Sequence, residues 1–455
     1  MNAPAGEDTA RRVAYDVVRA VEVDEAFANL LLPRLLRERR LDGRDAAFAT
    51  ELTYGTLRWQ GVLDDVVAAV SSRPLPDLDP AVRAVLRLGS YQLLHLRVPP
   101  HAAVHATVQL ARAVGGERVV GFVNAVLRRV GALDWTGWVA KLAPADDIGR
   151  RAFASGHPRW VAAAMLDTLD GDLDELEAAL AEDRPVTHLV ARPGRISRAE
   201  LLEQAGPDAT PGPWSPYAVR MDGGDPASLA AVRDGRAAVQ DEGSQLAALA
   251  VTGCRPSGPD DRWLDMCAGP GGKSVLLAGG MPSGARLLAA DLQPHRARLV
   301  AGALGGAAAS VLVADGTRGP WRPATFDRIL LDAPCTGLGS LRRRPEVRWR
   351  RQPTDVDRLQ GLQVALLDAA ADAARPGGVI AYVTCSPHRA ETRDVVDRVM
   401  TQRGDLEWID ARPMLTGVPL LGPGPDIRLW PHRHGTDAMY VALLRSDLSS
   451  SRTAL

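Results

Sequence analysis

A glycine-rich turn at residues 264–274 constrains the fold of this 455-residue chain more than any other stretch. It reads Leu-Asp-Met-Cys-Ala-Gly-Pro-Gly-Gly-Lys-Ser, with a short apolar run before it and a helix-forming run after it. A strand, a glycine turn and a helix in this order let backbone N–H groups approach a ligand at a helix N-terminus. The stretch therefore predicts an α/β domain with a small-molecule site at the turn.

Three interpretations of the turn are open at this point. A P-loop would have a glycine at the position of Cys267, and a dinucleotide-binding turn would have its third glycine at the position of Ser274. The third interpretation is an S-adenosylmethionine loop. The chain has only one other lysine, Lys141, so the presence of Lys273 in the turn favours a functional role for it.

Charge and cysteine usage exclude several classes of protein. The formal net charge is -1, so the chain as a whole does not have the positive charge typical of nucleic-acid-binding proteins. Any RNA-binding site must therefore be a local cluster of basic residues. The four cysteines show no C-x-x-C spacing, which argues against a metal site and a disulfide framework. The first residues lack the pattern of a signal peptide, and no long apolar run predicts a membrane span. We expect a cytoplasmic protein without metal or membrane.

Polar and thiol side chains end the predicted strands that follow the turn. Strands are predicted at 285–290, 310–314, 326–331 and 379–383, with helices between them, which indicates a doubly wound sheet. Ligands of such sheets bind at the carboxyl ends of the strands. The candidates at or near those ends are Asp265, Asp291, Asp315, Asp332, Cys335 and Cys385.

Two cysteines at the ends of adjacent strands suggest a specific chemistry. A thiolate is a strong nucleophile and can add to an electron-poor carbon such as C6 of a pyrimidine. The addition makes C5 nucleophilic enough to take a methyl group from a sulfonium donor. An acid beside the cysteines, such as Asp332, can bond the base and stabilise the adduct.

The rest of the chain predicts two further domains. Residues 1–132 read as a bundle of amphipathic helices, which include separate helices at 45–59 and 62–71. Residues 133–235 read as a small α+β connector. The α/β domain then occupies 236–447, and 448–455 is expected to be a flexible tail.

Several motifs resemble known families. Residues 48–58, 86–94 and 122–129 resemble, in order, the signature of the NusB family of helical RNA-binding domains. Residues 265–273, 332–339 and 384–386 resemble the cofactor loop and both cysteine motifs of the NOL1/NOP2/Sun RNA cytosine-C5 methyltransferases. A NusB-like domain joined to this domain is typical of the RsmB/Sun (Fmu) branch, whose members methylate a cytosine of 16S rRNA.

The resemblance implies a Rossmann-like methyltransferase domain and a role for each candidate residue. Cys385 is the implied nucleophile, Cys335 the cysteine that assists release of the product, and Asp332 the catalytic acid. S-adenosyl-L-methionine is the implied cofactor. Its candidate ligands are Cys267, Ala268, Gly269, Pro270, Gly271, Gly272, Lys273, Asp291, Asp315 and Asp332.

An arginine-rich segment at residues 341–351 follows the first cysteine motif. Arginine can bind phosphate, and tryptophan can stack on a base. The candidate RNA-binding residues are five residues of this segment and Arg296 from outside it. Those of the segment are Arg342, Arg343, Arg344, Arg348 and Trp349. We expect a monomer that binds 16S rRNA or a precursor of the small subunit.

Two other functions compete with this interpretation. One is a NusB-like RNA-binding or antitermination factor with an inactive methyltransferase scaffold. The intact glycine turn and both cysteines argue against it. The other is an amino-group methyltransferase, which has Asp/Asn-Pro-Pro-aromatic where this chain has Asp332-Ala333-Pro334-Cys335.

Overall fold

A computed structural model describes residues 8–182 and 184–447 of the chain. The expectations for the extreme N-terminus and for the tail at 448–455 lie outside the described residues. The chain divides into two compact units. The first contains residues up to 183 together with Leu341–Arg351, and the second contains the remainder. Among the described helices, none is both long and apolar enough to span a membrane.

The first unit is entirely helical in its described part. Asp8 caps its first helix by accepting a hydrogen bond of 3.0 Å from the amide of Arg11. The apolar faces of the longer helices form one continuous core. The helices are Thr9–Val23, Ala28–Glu38, Gly43–Val70, Pro80–His95, Pro100–Gly115, Glu117–Val130, Trp135–Leu142, Asp147–Ala154, Arg159–Thr168, Leu173–Ala181 and the short helix Val347–Arg350.

Gly43–Val70 is one continuous helix, so the prediction of two helices at 45–59 and 62–71 was wrong. Gly61 at the expected break is helical, and its missing side chain makes room for the ring of Trp349. A Cβ at position 61 would lie 2.1 Å from that ring. Packing in the folded unit has therefore overridden a local signal that usually weakens a helix.

The predicted connector at 133–235 does not form a compact unit of its own. Its helices up to Leu173–Ala181 belong to the first unit, and its strands belong to the second. Together with β4, which lies just after the predicted boundary, these strands form a small antiparallel sheet in the order β2-β3-β1-β4, accompanied by the helices Arg198–Ala205 and Ala230–Arg233. The strands are β1 Thr187–Ala191, β2 Ala209–Pro211, β3 Ala218–Met221 and β4 Ala237–Val239.

A larger sheet forms the rest of the second unit. Its strands are β5 Arg262–Asp265, β6 Arg286–Asp291, β7 Ala309–Val313, β8 Phe326–Asp332, β9 Ala374–Thr384, β10 Leu406–Ile409, β11 Ile427–Leu429 and β12 Met439–Ser446. Their order is β10-β12-β9-β8-β5-β6-β7, with β11 paired to β12. Strands β5 to β9 are parallel, whereas β12 runs antiparallel to β9. The predicted Rossmann-like, doubly wound fold is confirmed.

Helices cover both faces of this sheet. Alternate residues of each strand point to opposite sides, and the apolar ones on each side pack against helices. Trp263 and Leu330 pack in one apolar cluster with the helices Glu242–Gly253, Gly272–Gly280 and Pro294–Leu304. Leu264 and Leu331 pack in a second cluster with Pro353–Ala373 and Arg393–Gln402. The strands are buried on both sides, which leaves their ends as the place for a site. The short helix Pro431–His434 precedes β12.

Candidate active site

Four parallel strands carry candidate residues at their carboxyl ends. Asp265 ends β5, Asp291 ends β6, Asp332 ends β8, and Cys385 directly follows β9. Chain order along the sheet reverses between β5 and β8, and ligands of such sheets bind at this switch point. The structure thus brings these predicted site residues to one edge of the sheet.

The turn after β5 is shaped by its glycines. Gly271 has a left-handed backbone with a φ of 106°, which residues with side chains rarely adopt. The amide of Gly269 donates to Oδ2 of Asp291 at 2.9 Å, and Arg296 donates to the Gly269 carbonyl. A Cβ at position 269 would lie 2.6 Å from that carboxylate oxygen. The turn is therefore held directly against the end of β6.

Asp265 is buried beneath the turn. Its Oδ2 accepts a hydrogen bond of 2.6 Å from the hydroxyl of Ser274. Burial raises the pKa of Asp265 to about 7, although the Ser274 hydrogen bond opposes the rise. Its Oδ1 is buried and has no hydrogen-bond partner among the described residues. Buried acceptors are usually satisfied, so a bound ligand is a natural partner for this atom.

Lys273 reaches from the turn to the end of β8. Its Nζ lies 2.7 Å from Oδ2 of Asp332. Burial alone lowers the pKa of Lys273, but Asp332, and less strongly Cys385, raise it above its ordinary value. The turn thus supplies a fixed cation beside both the acid and one of the cysteines.

Cys335 and Cys385 face each other, with their sulfur atoms 3.5 Å apart. The hydrogen bond from the Cys335 thiol lowers the pKa of Cys385, and Lys273 lowers it further against the opposing effects of burial and Asp332. The same hydrogen bond, together with burial, raises the pKa of Cys335 well above its ordinary value. The pair is asymmetric, with Cys385 as the more acidic thiol and thus the better nucleophile.

The buried residue Glu391 joins the two cysteine loops, a contact that the sequence analysis missed. Thr336 follows Cys335 and Ser386 follows Cys385, and both donate to the Glu391 carboxylate. The sequence signal for this contact is small, because it consists only of an acid shortly after Cys385 and a hydroxyl residue beside each cysteine.

The other cofactor candidates differ in their surroundings. Cys267 is half-buried, and burial raises the pKa of its thiol. Asp315 is exposed, and its Oδ1 accepts hydrogen bonds from the hydroxyl of Thr317 at 2.7 Å and from its amide at 2.9 Å, which lower the Asp315 pKa. The structure therefore gives Asp315 the role of a turn cap. The remaining turn candidates lie between β5 and the following helix or begin that helix: Ala268, Pro270 and Gly272.

Much of the arginine-rich segment is engaged within the first unit. Arg348 is 1% exposed, and its guanidinium donates to the Gly156 carbonyl at 2.8 Å. The indole N–H of Trp349 donates to the Arg58 carbonyl at 3.0 Å. Arg342 is also buried. These side chains have structural partners, which a sequence pattern of clustered arginines does not reveal.

The other predicted RNA-binding residues are more accessible. Arg344 is exposed and Arg343 is partly exposed. In the second unit, the Arg296 side chain is 43% exposed, although it also lies 3.6 Å from Asp291. Of the predicted set, Arg344 and Arg296 are thus the side chains best able to meet a phosphate.

Comparisons with known proteins agree with this arrangement. Residues 255–445 match the family described as 16S rRNA methyltransferase RsmB/F, and residues 8–132 match the NusB family. A Mycobacterium tuberculosis protein named as a methyltransferase is 52% identical over 96% of both chains. The ribosomal RNA small subunit methyltransferase B of Pseudomonas syringae is 32% identical over 95% of this chain and 96% of its own.

A solved structure shares the whole fold. The crystal structure titled PH0851 has a TM-score of 0.82 and covers 98% of this chain and 100% of its own, at 22% identity. The likeness at this identity concerns the fold, which includes both units. An N-terminal helical fold and a C-terminal α/β fold therefore occur together in that chain as well.

Proposed function

Because the chain belongs to the RsmB/F family of 16S rRNA methyltransferases, we propose that it methylates C5 of a cytosine through a covalent adduct with Cys385. The observation that carries this proposal is the pair of cysteine sulfurs 3.5 Å apart, at the ends of the adjacent strands β8 and β9. Methyl transfer to an amino group needs no cysteine, whereas C5 of cytosine becomes nucleophilic only after addition at C6.

The proposed reaction proceeds in three steps. The thiolate of Cys385 adds to C6, forming a C–S bond and shifting electron density to C5. C5 then attacks the methyl carbon that S-adenosyl-L-methionine would supply, so that the C5–CH3 bond forms as the sulfonium S–CH3 bond breaks and S-adenosylhomocysteine leaves. Finally a base removes the C5 proton, the electrons of that C–H bond restore the C5–C6 double bond, and the C6–S bond breaks to return the thiolate. Cys335 is proposed to assist this release.

Asp332 and Lys273 form the polar wall of the proposed base site. The Asp332 carboxylate can accept hydrogen bonds from the N4 amino group of cytosine, which holds the ring beside Cys385. The contact of 2.7 Å with Lys273 keeps this carboxylate oriented. The same lysine lowers the pKa of Cys385, so one cation serves both the acid and the nucleophile.

The turn and the strand ends fit S-adenosyl-L-methionine, which supplies a methyl group on a positively charged sulfur. Gly269, Gly271 and Gly272 allow close approach of the backbone, and Asp265 has an unsatisfied buried oxygen. Asp291 stands where a carboxylate binds ribose hydroxyls in Rossmann-like domains. Cys267, Ala268, Pro270, Lys273 and Asp332 are proposed as the other lining residues, and Asp315 as a residue near the adenine.

RNA recognition is proposed to combine the NusB-like domain with exposed arginines. Arg344 and Arg296 are the proposed phosphate contacts, together with Arg343. We do not propose a direct base or phosphate contact for Arg348, Trp349 or Arg342, because the first two are held by backbone carbonyls and the third is buried. The proposed partner is 16S rRNA or a precursor of the small subunit, bound by a monomer.

Nucleoside analysis tests the proposal directly. Unmethylated 16S rRNA would be incubated with the protein and S-adenosylmethionine labelled in its methyl group, then digested to nucleosides. Label in 5-methylcytidine is the expected result. Label in N4-methylcytidine would exclude the C5 mechanism, and RNA binding without cofactor binding would favour an RNA-binding factor with an inactive scaffold.

A further inference from the structure

Glu391 accepts hydrogen bonds from three residues on different segments of the second unit. Its side chain is completely buried. Oε1 accepts from the Thr336 amide at 2.7 Å and from Nε2 of Gln363 at 3.2 Å. Oε2 accepts from the Ser386 hydroxyl at 2.6 Å and from the Thr336 hydroxyl. A buried carboxylate is costly unless such donors surround it, so these contacts hold the residue and its neighbours together.

Two of the three donor residues belong to the loops that carry the cysteines. Thr336 directly follows Cys335 in the sequence, and Ser386 directly follows Cys385. The two hydroxyls are also 3.3 Å from each other. A single carboxylate thus connects the residues that directly follow both thiols.

Two further hydrogen bonds hold Glu391 and the Cys335 loop in place. Nε2 of Gln363, on the long helix Pro353–Ala373, also donates to the carbonyl of Pro334 at 2.9 Å. The Tyr382 hydroxyl donates to the backbone carbonyl of Glu391 at 2.7 Å. Glu391 is therefore fixed to β9 and to the helix, and it can impose its own position on both loops.

We propose that Glu391 is a positioning residue that sets the separation of the Cys335 and Cys385 sulfurs. The relevance to catalysis rests on the proposed function, in which both cysteines must reach the same base. A spacing of 3.5 Å lets the Cys335 thiol donate to the Cys385 sulfur, which lowers the pKa of the nucleophile. Spreading the loops would remove this hydrogen bond without touching either thiol.

Thiol–disulfide exchange measures this spacing without RNA or cofactor. The Cys385 thiolate attacks oxidised glutathione, which forms a mixed disulfide and releases one glutathione thiolate. Cys335 then loses its proton to solvent and attacks the Cys385 sulfur, which forms the protein disulfide and releases the second glutathione. Mass spectrometry of the full chain follows the mixed disulfide and locates the final bond.

In Glu391→Ala the protein disulfide should form at least tenfold more slowly than in wild type, so that the mixed disulfide accumulates. The rate of this second step is called the closure rate. Glu391→Gln should recover most of the closure rate, because its amide can accept from the Thr336 amide and donate to the two hydroxyls. Asp394→Asn is the matched control, since this acid pairs with Arg389 outside the network. Melting curves establish that each variant is folded.

Closure by Glu391→Ala at the wild-type rate would overturn the proposal. If that variant does not fold, Thr336→Val and Ser386→Ala each remove one hydroxyl donor, and slower closure in both is expected, while wild-type closure in both would overturn the proposal. In the methylation assay, Glu391→Ala should lower kcat with little change in the KM for S-adenosylmethionine. Should the wild type not methylate C5, the proposed function fails, but the exchange rates still decide the role of Glu391.

Discussion

The sulfur of Cys335 lies 3.5 Å from the sulfur of Cys385, and Lys273 stands close enough to Cys385 to influence its ionisation. The hydrogen bond and the cation both favour the thiolate of Cys385, while the same hydrogen bond, together with burial, raises the pKa of Cys335. The surroundings of the two thiols thereby give Cys385 a lower pKa than Cys335, although the side chains are chemically identical.

The lowered pKa of Cys385 predicts how the rate of its alkylation depends on pH. Both Cys335→Ala and Lys273→Met remove a cause of the lowered Cys385 pKa, so the pKa should rise and less thiolate should be present at neutral pH. Alkylation of Cys385 by iodoacetamide should become several-fold slower at pH 7, and its rate profile should move to higher pH. Peptide mass spectrometry measures the site and rate, and an unchanged profile in both variants would refute the assigned cause.

The contact between Asp291 and the glycine turn predicts a cofactor defect. Asp291→Ala removes the acceptor of the Gly269 and Gln293 amides, each at 2.9 Å, and the proposed acceptor of ribose hydroxyls. The Kd for S-adenosylmethionine, measured by calorimetry, should rise at least tenfold, because each lost hydrogen bond costs about 1 kcal/mol. RNA affinity should stay nearly unchanged.

Asp357→Ala is the control for this experiment, because Asp357 is an exposed acid on a helix of the same unit. Its cofactor affinity should equal that of wild type. A wild-type Kd for the Asp291 variant would contradict both the ribose role and the role in shaping the turn.

The packing of Trp349 on Gly61 predicts a stability effect in the first unit. In Gly61→Ala the new Cβ would lie 2.1 Å from the indole, whose N–H is held by the Arg58 carbonyl. Overpacking of this kind should lower the free energy of unfolding by about 2 kcal/mol. Thermal unfolding followed by circular dichroism would show a lower Tm.

Gly121→Ala is the matched control, because Gly121 lies inside the helix Glu117–Val130 and a Cβ added there would meet no atom within 4 Å. Replacing a helical glycine by alanine in open space stabilises by about 0.5–1 kcal/mol. The two variants should therefore shift Tm in opposite directions. An unchanged or higher Tm for Gly61→Ala would show that the packing of Trp349 does not require the missing side chain.

The strand ends could be predicted from the sequence, because a buried strand followed by Asp or Cys leaves a local pattern. Asp332 and Cys385 were identified as candidates in this way, and the structure places both at one edge of the sheet. The fold class followed from alternating strands and helices, which depends on local periodicity.

Contacts between distant segments left no such pattern. Nothing near Gly61 in the sequence shows that Trp349 packs on it, so the predicted helix break was wrong. Clustered arginines suggested a surface for RNA, yet Arg348 is buried among backbone carbonyls. Glu391 gained a role only when the two cysteine loops were seen to share its carboxylate.

The most direct test of the central claim uses unmethylated 16S rRNA and labelled S-adenosylmethionine with wild type, Cys385→Ala and Cys335→Ala. The reactions are resolved on a denaturing gel. We predict a protein–RNA band that survives denaturation in Cys335→Ala and is absent from Cys385→Ala, because only the former can attack C6 but releases the product poorly. A surviving band in Cys385→Ala, or methylation of RNA by that variant, would contradict the account.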